Sequence, residues 1–394
     1  MDITESLGYK DFMWAVEIHR LGLEIIGLWP KKDKFNNLLP NLRVSIILIL
    51  IIFVINVPTI QGILQVWGNM VLVVDNLRIA LPPLIASLKY VIMLWKRTVL
   101  LSIINMMAED WMAFKSNIER TVMIKQAQTA RLIMVVGYVI VIIGLLTVTI
   151  PSLFGIQIMS GLNLTDRQKS LPFLTYHFYD TDKSPQFELM FCIQTISFSF
   201  LAIAYMSTDI FLVLIVLHIC GQLENFRCRL INLMLYKSFN KTLNNIVASH
   251  LRIIRFADNI ENTYSLMMLI MVLHFIIVFC LTGFCLLIEM DEVVMSKIYI
   301  SIMAIITLLM NTFLYCGAGE IISEQCNTVY RAMCNLEWYK LESRKARNLI
   351  LLMMRARHPC CITAGKIIPL TMATFCNVLK TSTGYISFLL AKRS

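Results

Sequence analysis

The sequence predicts an all-α membrane protein with seven transmembrane helices, and three observations carry that prediction. Of the 394 residues, 58% are hydrophobic and only 15% are charged, a balance too apolar for a soluble globule. Five long runs hold no charge: Arg43 to Asp75, Arg131 to Asp166, Glu188 to Asp209, Glu261 to Glu289 and Lys297 to Glu320. Each has room for the roughly 20 residues that a helix needs to cross a bilayer. Lys and Arg are also split unevenly between the connecting segments, 26 on one side and 7 on the other, with Lys89 and Lys380 inside spans. The positive-inside rule then puts the N-terminus in the cytoplasm and the C-terminus outside, with cytoplasmic helical extensions forming an anchor region. The formal net charge of +10 belongs to this asymmetry. It makes anionic inner-leaflet lipid the expected partner and gives no reason to expect nucleic acid.

The first 43 residues mix acids and bases and hold no cleavable signal, so the first span is expected to serve as its own targeting signal. Phe12 to Leu28 is an amphipathic stretch ending in Gly27-Leu28-Trp29-Pro30. It suits either a helix lying on the inner membrane surface or one packed against the base of the bundle. Span one is expected at about 44–63 and span two at about 74–95. Span two contains Arg78, Pro82, Pro83 and Lys89, and its two charges lie near its ends, where snorkelling would take them to the headgroups. Residues 96–131 read as cytoplasmic helices, and span three follows at about 132–151.

A long outer loop, 152–187, carries Tyr176, His177, Phe178 and Tyr179, together with the sequon Asn163-Leu164-Thr165. Asn163 is therefore the candidate glycosylation site, whereas the sequon at Asn240 lies on the cytoplasmic side and should stay bare. Span four begins near Glu188 and remains apolar to Leu223, too long for a bilayer, so it projects into the cytoplasm. Span five is expected at about 263–287, followed by a short acidic turn (Glu289, Asp291, Glu292) and span six at about 298–317. A mixed-charge helical stretch then runs from Glu320 to Arg357 and breaks at His358-Pro359. The seventh span, Gly365 to Leu390, carries Lys366 at its cytoplasmic start and, beyond it, only Lys380. The 11 cysteines fall in helices or cytoplasmic segments, which reads as reduced packing cysteines rather than a disulfide framework.

The seventh span is not apolar all round. At 3.6 residues per turn, Asn377, Lys380, Thr381, Gly384 and Phe388 share one face, and Phe375, Leu379, Ser382, Ile386 and Leu390 take the other. Lipid would not tolerate the first face, so it meets protein or water, and lining an ion pore is the reading that uses it.

The outer halves of the other spans offer the lining of a pocket for a small apolar ligand. Span two supplies Asn76 and Ile79, span three Gly144, Thr147 and Val148, and span four Phe191, Gln194, Thr195 and Phe198. Spans five and six add Thr282, Tyr299, Ile302 and Met303. Ordinary close packing of membrane helices uses the same small residues. Asp209, His218 and Glu224 do not have metal-ligand spacing, and neither cofactor nor metal is called for. No nucleophile elbow, phosphate loop or paired intramembrane carboxylates are present, so an enzyme is not expected.

The chain resembles the insect odorant receptors. The resemblance is carried by Trp338-Tyr339, Ala346-Arg347-Asn348-Leu349-Ile350, Arg355, Pro359, Thr363-Ala364-Gly365-Lys366 and Pro369-Leu370. It continues through Phe375, Leu379-Lys380-Thr381-Ser382, Gly384-Tyr385 and Leu389-Leu390, with support from Gly27-Leu28-Trp29-Pro30 and from Asp209, His218 and Gln222. It implies an odorant-specific tuning subunit of a ligand-gated cation channel in the plasma membrane of an olfactory sensory neuron dendrite. A volatile odorant or pheromone would bind between spans two and six. Co-receptor subunits would complete a heterotetramer through the cytoplasmic helices, where Trp338 and Tyr339 are the interface candidates. The last span would surround the pore, with the gate at Phe388 and the next turn at Lys392, a position that is apolar in the family. Cys334 likewise departs from the family's usual Tyr, and the long cytoplasmic insertion of the co-receptor is absent.

On this reading the chain divides into a cytoplasmic segment 1–43, six spans with the pocket region 44–316, an anchor region 317–364, and the pore helix with a short tail 365–394. The other seven-helix class, the G-protein-coupled chemoreceptors, requires the opposite orientation. Its Asp-Arg-Tyr and Asn-Pro-x-x-Tyr motifs are absent here.

Overall fold

The computed structural model describes residues 3–30, 38–113, 116–154, 171–172, 184–235, 239–292 and 295–393. Asn163 and the aromatic run from Tyr176 to Tyr179 lie outside them. The described chain is almost entirely helical, and six of its helices are long and apolar enough to cross a membrane.

Helix α1, Ile3–Ile25, ends in a Schellman motif that gives the Gly27-Leu28 pair its meaning. Gly27 takes φ +71°, its amide donates to the Glu24 carbonyl at 3.1 Å, and the Leu28 amide donates to the Leu23 carbonyl at 2.8 Å. The two leucines that this turn brings together are fully buried. Phe12, Ala15, Val16 and Ile26 are buried with them, and α1 packs on the helices that follow. Of the two readings open for this stretch, the structure supports the helix packed against the bundle.

The first span joins α2, Leu38–Leu50, a π-helical turn, Ile51–Asn56, and α3, Val57–Gln65. Helix α4, Met70–Trp95, contains Pro82 and Pro83, and α5, Arg97–Met112, continues from it after one residue. Helix α6, Asn117–Leu153, starts with a capping box between Ser116 and Glu119, so the expected cytoplasmic extension and span three form one helix. Its apolar outer face, including Val135, Val139 and Ile142, is exposed, as suits a lipid-facing helix.

Helix α7, Gln186–Ile231, is the centre of the bundle. Every residue from 207 to 221 is buried, and α1, α4, α6, α8 and α9 all pack against it. Helix α8, Phe239–Glu292, and helix α9, Met295–Cys334, also run well beyond membrane thickness. At the Lys- and Arg-rich side, called here the basic end, α6 and α7 meet α1, and α8 meets α5.

After α9 the structure differs from the single helical stretch expected as far as Arg357. The helix stops at Cys334, Trp338–Lys340 form one 3₁₀ turn, and α10 runs over Ser343–Ala356. The seventh span also starts later than expected. Thr363–Ala364 (β1) and Ile368–Pro369 (β2) pair as a short antiparallel hairpin, and α11 begins only at Met372, ending at Arg393. Gly365 and Lys366 both have positive φ (66° and 60°), and the Ile367 amide donates to the Ala364 carbonyl, as in a type I′ turn. Helix α11 is absent from the six strongly apolar helices because of its polar stripe.

Candidate functional site

The start of α11 is fixed before its first turn. Glu261 of α8 accepts from both the amide (2.9 Å) and the hydroxyl of Thr363. Ser265 accepts the Gly365 amide at its carbonyl and the Lys366 amide at its hydroxyl, each at 2.9 Å. The Lys366 ammonium reaches Asn262 Oδ1 at 3.1 Å. At the helix itself, Thr371 Oγ1 accepts the Thr374 amide, and Glu320 of α9 accepts the Met372 amide at 3.1 Å. A carboxylate is well placed there, since it faces the positive end of the helix.

Beyond this joint, α11 shows two faces. Phe375 meets Phe313 edge-on at 5.9 Å, Ser382 is 0% exposed with its carbonyl 3.5 Å from the Cys280 thiol, and Ile386 lies over Gly283. Leu379 is half-buried on the same face. On the opposite face Asn377, Lys380, Thr381 and Gly384 are exposed, and Phe388 is 64% exposed. The side chains of Leu390 and Lys392 are not among those described. The single subunit thus spends none of its own surface on the polar stripe. A stripe carrying Asn377, Lys380 and Thr381 is costly against lipid, so it needs water or another subunit.

Gly283 sits where a Cβ would come within 2.5 Å of Ile386 Cδ1. Gly283→Ala is therefore expected to push α11 off α8 at about 1–3 kcal/mol, the usual cost of overpacking. Adding Ile386→Val should recover most of that loss. A melt of the two variants in detergent checks the pair.

The ligand-pocket candidates occupy three environments. Asn76, Gln194 and Thr282 are buried, while Ile79, Thr147, Val148, Phe191, Thr195 and Phe198 are half-buried. Gly144, Tyr299, Ile302 and Met303 lie on the outer surface of the subunit. The hydroxyls of Thr147 and Thr195 donate to the carbonyls four residues back, at 2.8 Å each, so their donor protons are already used within the helix. Thr282 is next to Gly283, so α8 borders both the pocket candidates and α11.

Two ionic ties that the sequence did not assign hold α4 in the bundle. Neither Arg78 nor Lys89 reaches for headgroups, which corrects the snorkelling expectation. Arg78 binds Asp75 at 2.7 Å, Glu289 at 2.6 Å and the Ser301 hydroxyl at 2.7 Å, tying α4 to α8 and α9. Lys89 is 1% exposed and paired with Asp209 of α7, which is 2% exposed. Its ammonium also reaches the Tyr205 carbonyl at 3.0 Å and lies 3.9 Å from the Tyr205 ring centroid, and the Tyr315 hydroxyl of α9 donates to Asp209 at 2.7 Å. The readable signal was the ionisable side chain itself, because a charge inside a span calls for a named partner. Snorkelling fails because both residues point inward, where carboxylates, a hydroxyl and a carbonyl take the place of water.

Asp209, His218 and Glu224 each serve a different partner. Asp209 serves Lys89, His218 lies 3.1 Å from Asp110, and Glu224 binds Arg227 at 2.5 Å. At the basic end a cavity of about 250 Å³ opens between α5, α7 and α8, bordered by Asp110, Gln222, Phe226, Arg229, Arg252 and Phe256. Burial works against ionisation of Asp110, but His218 and Arg252 outweigh it and hold the carboxyl below its usual range. Trp338 is half-buried and Tyr339 exposed beside it, the two rings meeting edge-on at 6.1 Å.

The pattern of the 7tm Odorant receptor family matches residues 69–383, from just before α4 to the middle of α11. This chain belongs to the odorant receptor family. Odorant receptor 67a of Drosophila melanogaster is 24% identical over 134 residues, which are 34% of this chain and 32% of that receptor. Odorant receptor 85b of the same fly is 21% identical over 154 residues, 39% of each. Odorant receptor 10 of Aedes albopictus is 23% identical over 218 residues, 53% of this chain and 57% of its relative. The matched stretches therefore span between a third and somewhat over half of those receptors. In fold the chain is similar to the insect olfactory receptor OR5 of Machilis hrabei in complex with eugenol. That likeness has a TM-score of 0.83 at 18% identity and covers 97% of this chain and 99% of that one. The chain is thus a multi-pass membrane protein of the odorant receptor family, with the fold of that receptor.

Proposed function

We propose that this chain is an odorant-specific tuning subunit of a ligand-gated, non-selective cation channel, with its N-terminus in the cytoplasm and its C-terminus outside. The observation that carries the reading is the exposed polar stripe of α11, from Asn377 to Phe388, on a helix whose other face is committed to α8 and α9. The stripe lines an ion path, and Phe388 closes it. A volatile apolar odorant or pheromone binds among Asn76, Ile79, Thr147, Phe191, Gln194, Phe198 and Thr282, and the eugenol complex of OR5 supports a ligand of that kind. The ligand opens the channel only by binding the open arrangement better than the closed one. Co-receptor subunits complete a heterotetramer through the basic end, where Tyr339 is exposed, and the assembly works in the plasma membrane of an olfactory dendrite. The lysine at 392 favours one copy of this chain among co-receptor subunits, since a complete ring of lysines would repel cations. Family membership favours this reading over the G-protein-coupled one.

Cysteine accessibility tests it. With co-receptor subunits present and the exposed Cys376 replaced by serine, Thr381→Cys and Gly384→Cys are expected to give currents blocked by a charged, water-soluble thiol reagent. Ile386→Cys, on the packed face, is expected to resist. Currents untouched by the reagent at both 381 and 384 would remove α11 from the ion path.

A further inference from the structure

We propose that Glu261, together with Ser265, is a positioning residue for the gate, acting through the hairpin that precedes α11 as the joint by which α8 sets the pore helix. The proposal rests on the reading of α11 as the pore helix. The hairpin makes few bonds of its own, only two residues pairing on each strand. Its Thr363, Gly365 and Lys366 amides all donate to α8: Thr363 to the Glu261 carboxylate, the other two to Ser265. Lys366 pays for its positive φ, a conformation that favours glycine, and the bonds from its amide and ammonium to α8 offset that cost.

The same α8 touches α11 again further along, at Cys280 to Ser382 and Gly283 to Ile386. From 261 to 283 is about 33 Å of helix at 1.5 Å per residue. Helix α8 therefore grips α11 both before its first turn and at mid-length, and it carries Thr282 of the pocket between these contacts and the ligand. A displacement of α8 cannot leave the base of α11 behind while Glu261 holds Thr363 by two bonds. The charged acceptor matters because bonds to an ionised carboxylate are about twice as strong as neutral ones.

The test uses the full-length chain in lipid nanodiscs and, separately, with co-receptor subunits in voltage-clamped cells. Glu261→Ala is expected to raise amide exchange in the peptide covering 363–370 by about tenfold, and to shift the odorant concentration for half-maximal current several-fold. Single-channel conductance and reversal potential should not move, because no pore-facing group is altered. Glu261→Gln keeps one carbonyl oxygen and an amide that the Thr363 hydroxyl can accept from, but not the charge, so it should restore both readouts about halfway. If Glu261→Ala does not reach the surface, Ser265→Ala, which removes only the acceptor of the Lys366 amide, is expected to show the same changes at smaller size. Unchanged exchange in both variants would overturn the clasp. Raised exchange with wild-type half-maximal concentration and wild-type ligand-free current would overturn its role in gating. Wild-type chain giving no odorant-evoked current would instead sink the channel reading, while the exchange arm, which needs no current, would still decide whether Glu261 holds the hairpin.

Discussion

Asp209→Ala is expected to strip most of the folded receptor from the cell surface. The Lys89 ammonium is 1% exposed and has Asp209 as its counter-charge, with a carbonyl and two tyrosines completing its surroundings. Removing one partner of a buried pair leaves an uncompensated charge, at a cost of about 3–5 kcal/mol. That is a large share of the roughly 5–15 kcal/mol that holds a typical protein folded. Three helices meet at this point, α4 through Lys89, α7 through Asp209 and α9 through Tyr315, so the damage is not local. The melting temperature in detergent should fall by about 5 °C or more. Replacing both partners together, Lys89→Met with Asp209→Leu, removes the stranded charge and should melt within a few degrees of wild type, as buried pairs exchanged for apolar packing often do. If the single and double variants melt alike, the tie is not what secures α4.

The expected results separate what patterning can show from what it cannot. Helix number, the over-long α7 and the polar stripe of α11 were legible because each is a property of one segment's periodicity or length. The ionic ties were not, because Lys89 and Asp209 are 120 residues apart and a charge shows only its need for a partner, never which one. The same holds for Arg78, whose partners Glu289 and Ser301 lie on two other helices. The hairpin was missed for a different reason. Ile367 and Ile368 are apolar enough to extend the seventh span, and Gly365 and Pro369 were readable breaks, but the paired positive φ at Gly365 and Lys366 that makes a hairpin there belongs to the backbone rather than to composition. The break after Cys334 had no readable stop: no proline or glycine stands between Cys334 and Ser343. The pocket candidates follow from depth and residue type. Depth cannot tell a half-buried Phe198 from an exposed Tyr299, since facing requires the neighbours.

Phe388→Ala is expected to raise ligand-free current and to lower the odorant concentration needed for half-maximal response. Phe388 ends the described part of the exposed stripe, one turn beyond Gly384 and on the same face. In the proposed channel an apolar side chain at that place closes the pore by excluding water, and it is worth about 1.5–3 kcal/mol when it is buried against its neighbours in the closed state. Losing it should shift the closed-to-open ratio roughly ten- to a hundredfold in favour of opening, at about 1.4 kcal/mol per tenfold. The change falls on an exposed side chain of the subunit, so folding and delivery should be preserved, unlike Asp209→Ala. Phe388→Leu keeps an apolar but smaller side chain and should lie between. The comparison that decides is surface-normalised current without ligand, recorded with the same co-receptor subunits for all three chains. A surface-expressed Phe388→Ala whose ligand-free current and ion selectivity match wild type would move the constriction away from this residue. The exposed face of α11 would then need another occupant, and a neighbouring subunit packed against Thr381 and Gly384 would be the remaining explanation for a polar stripe that lipid cannot cover.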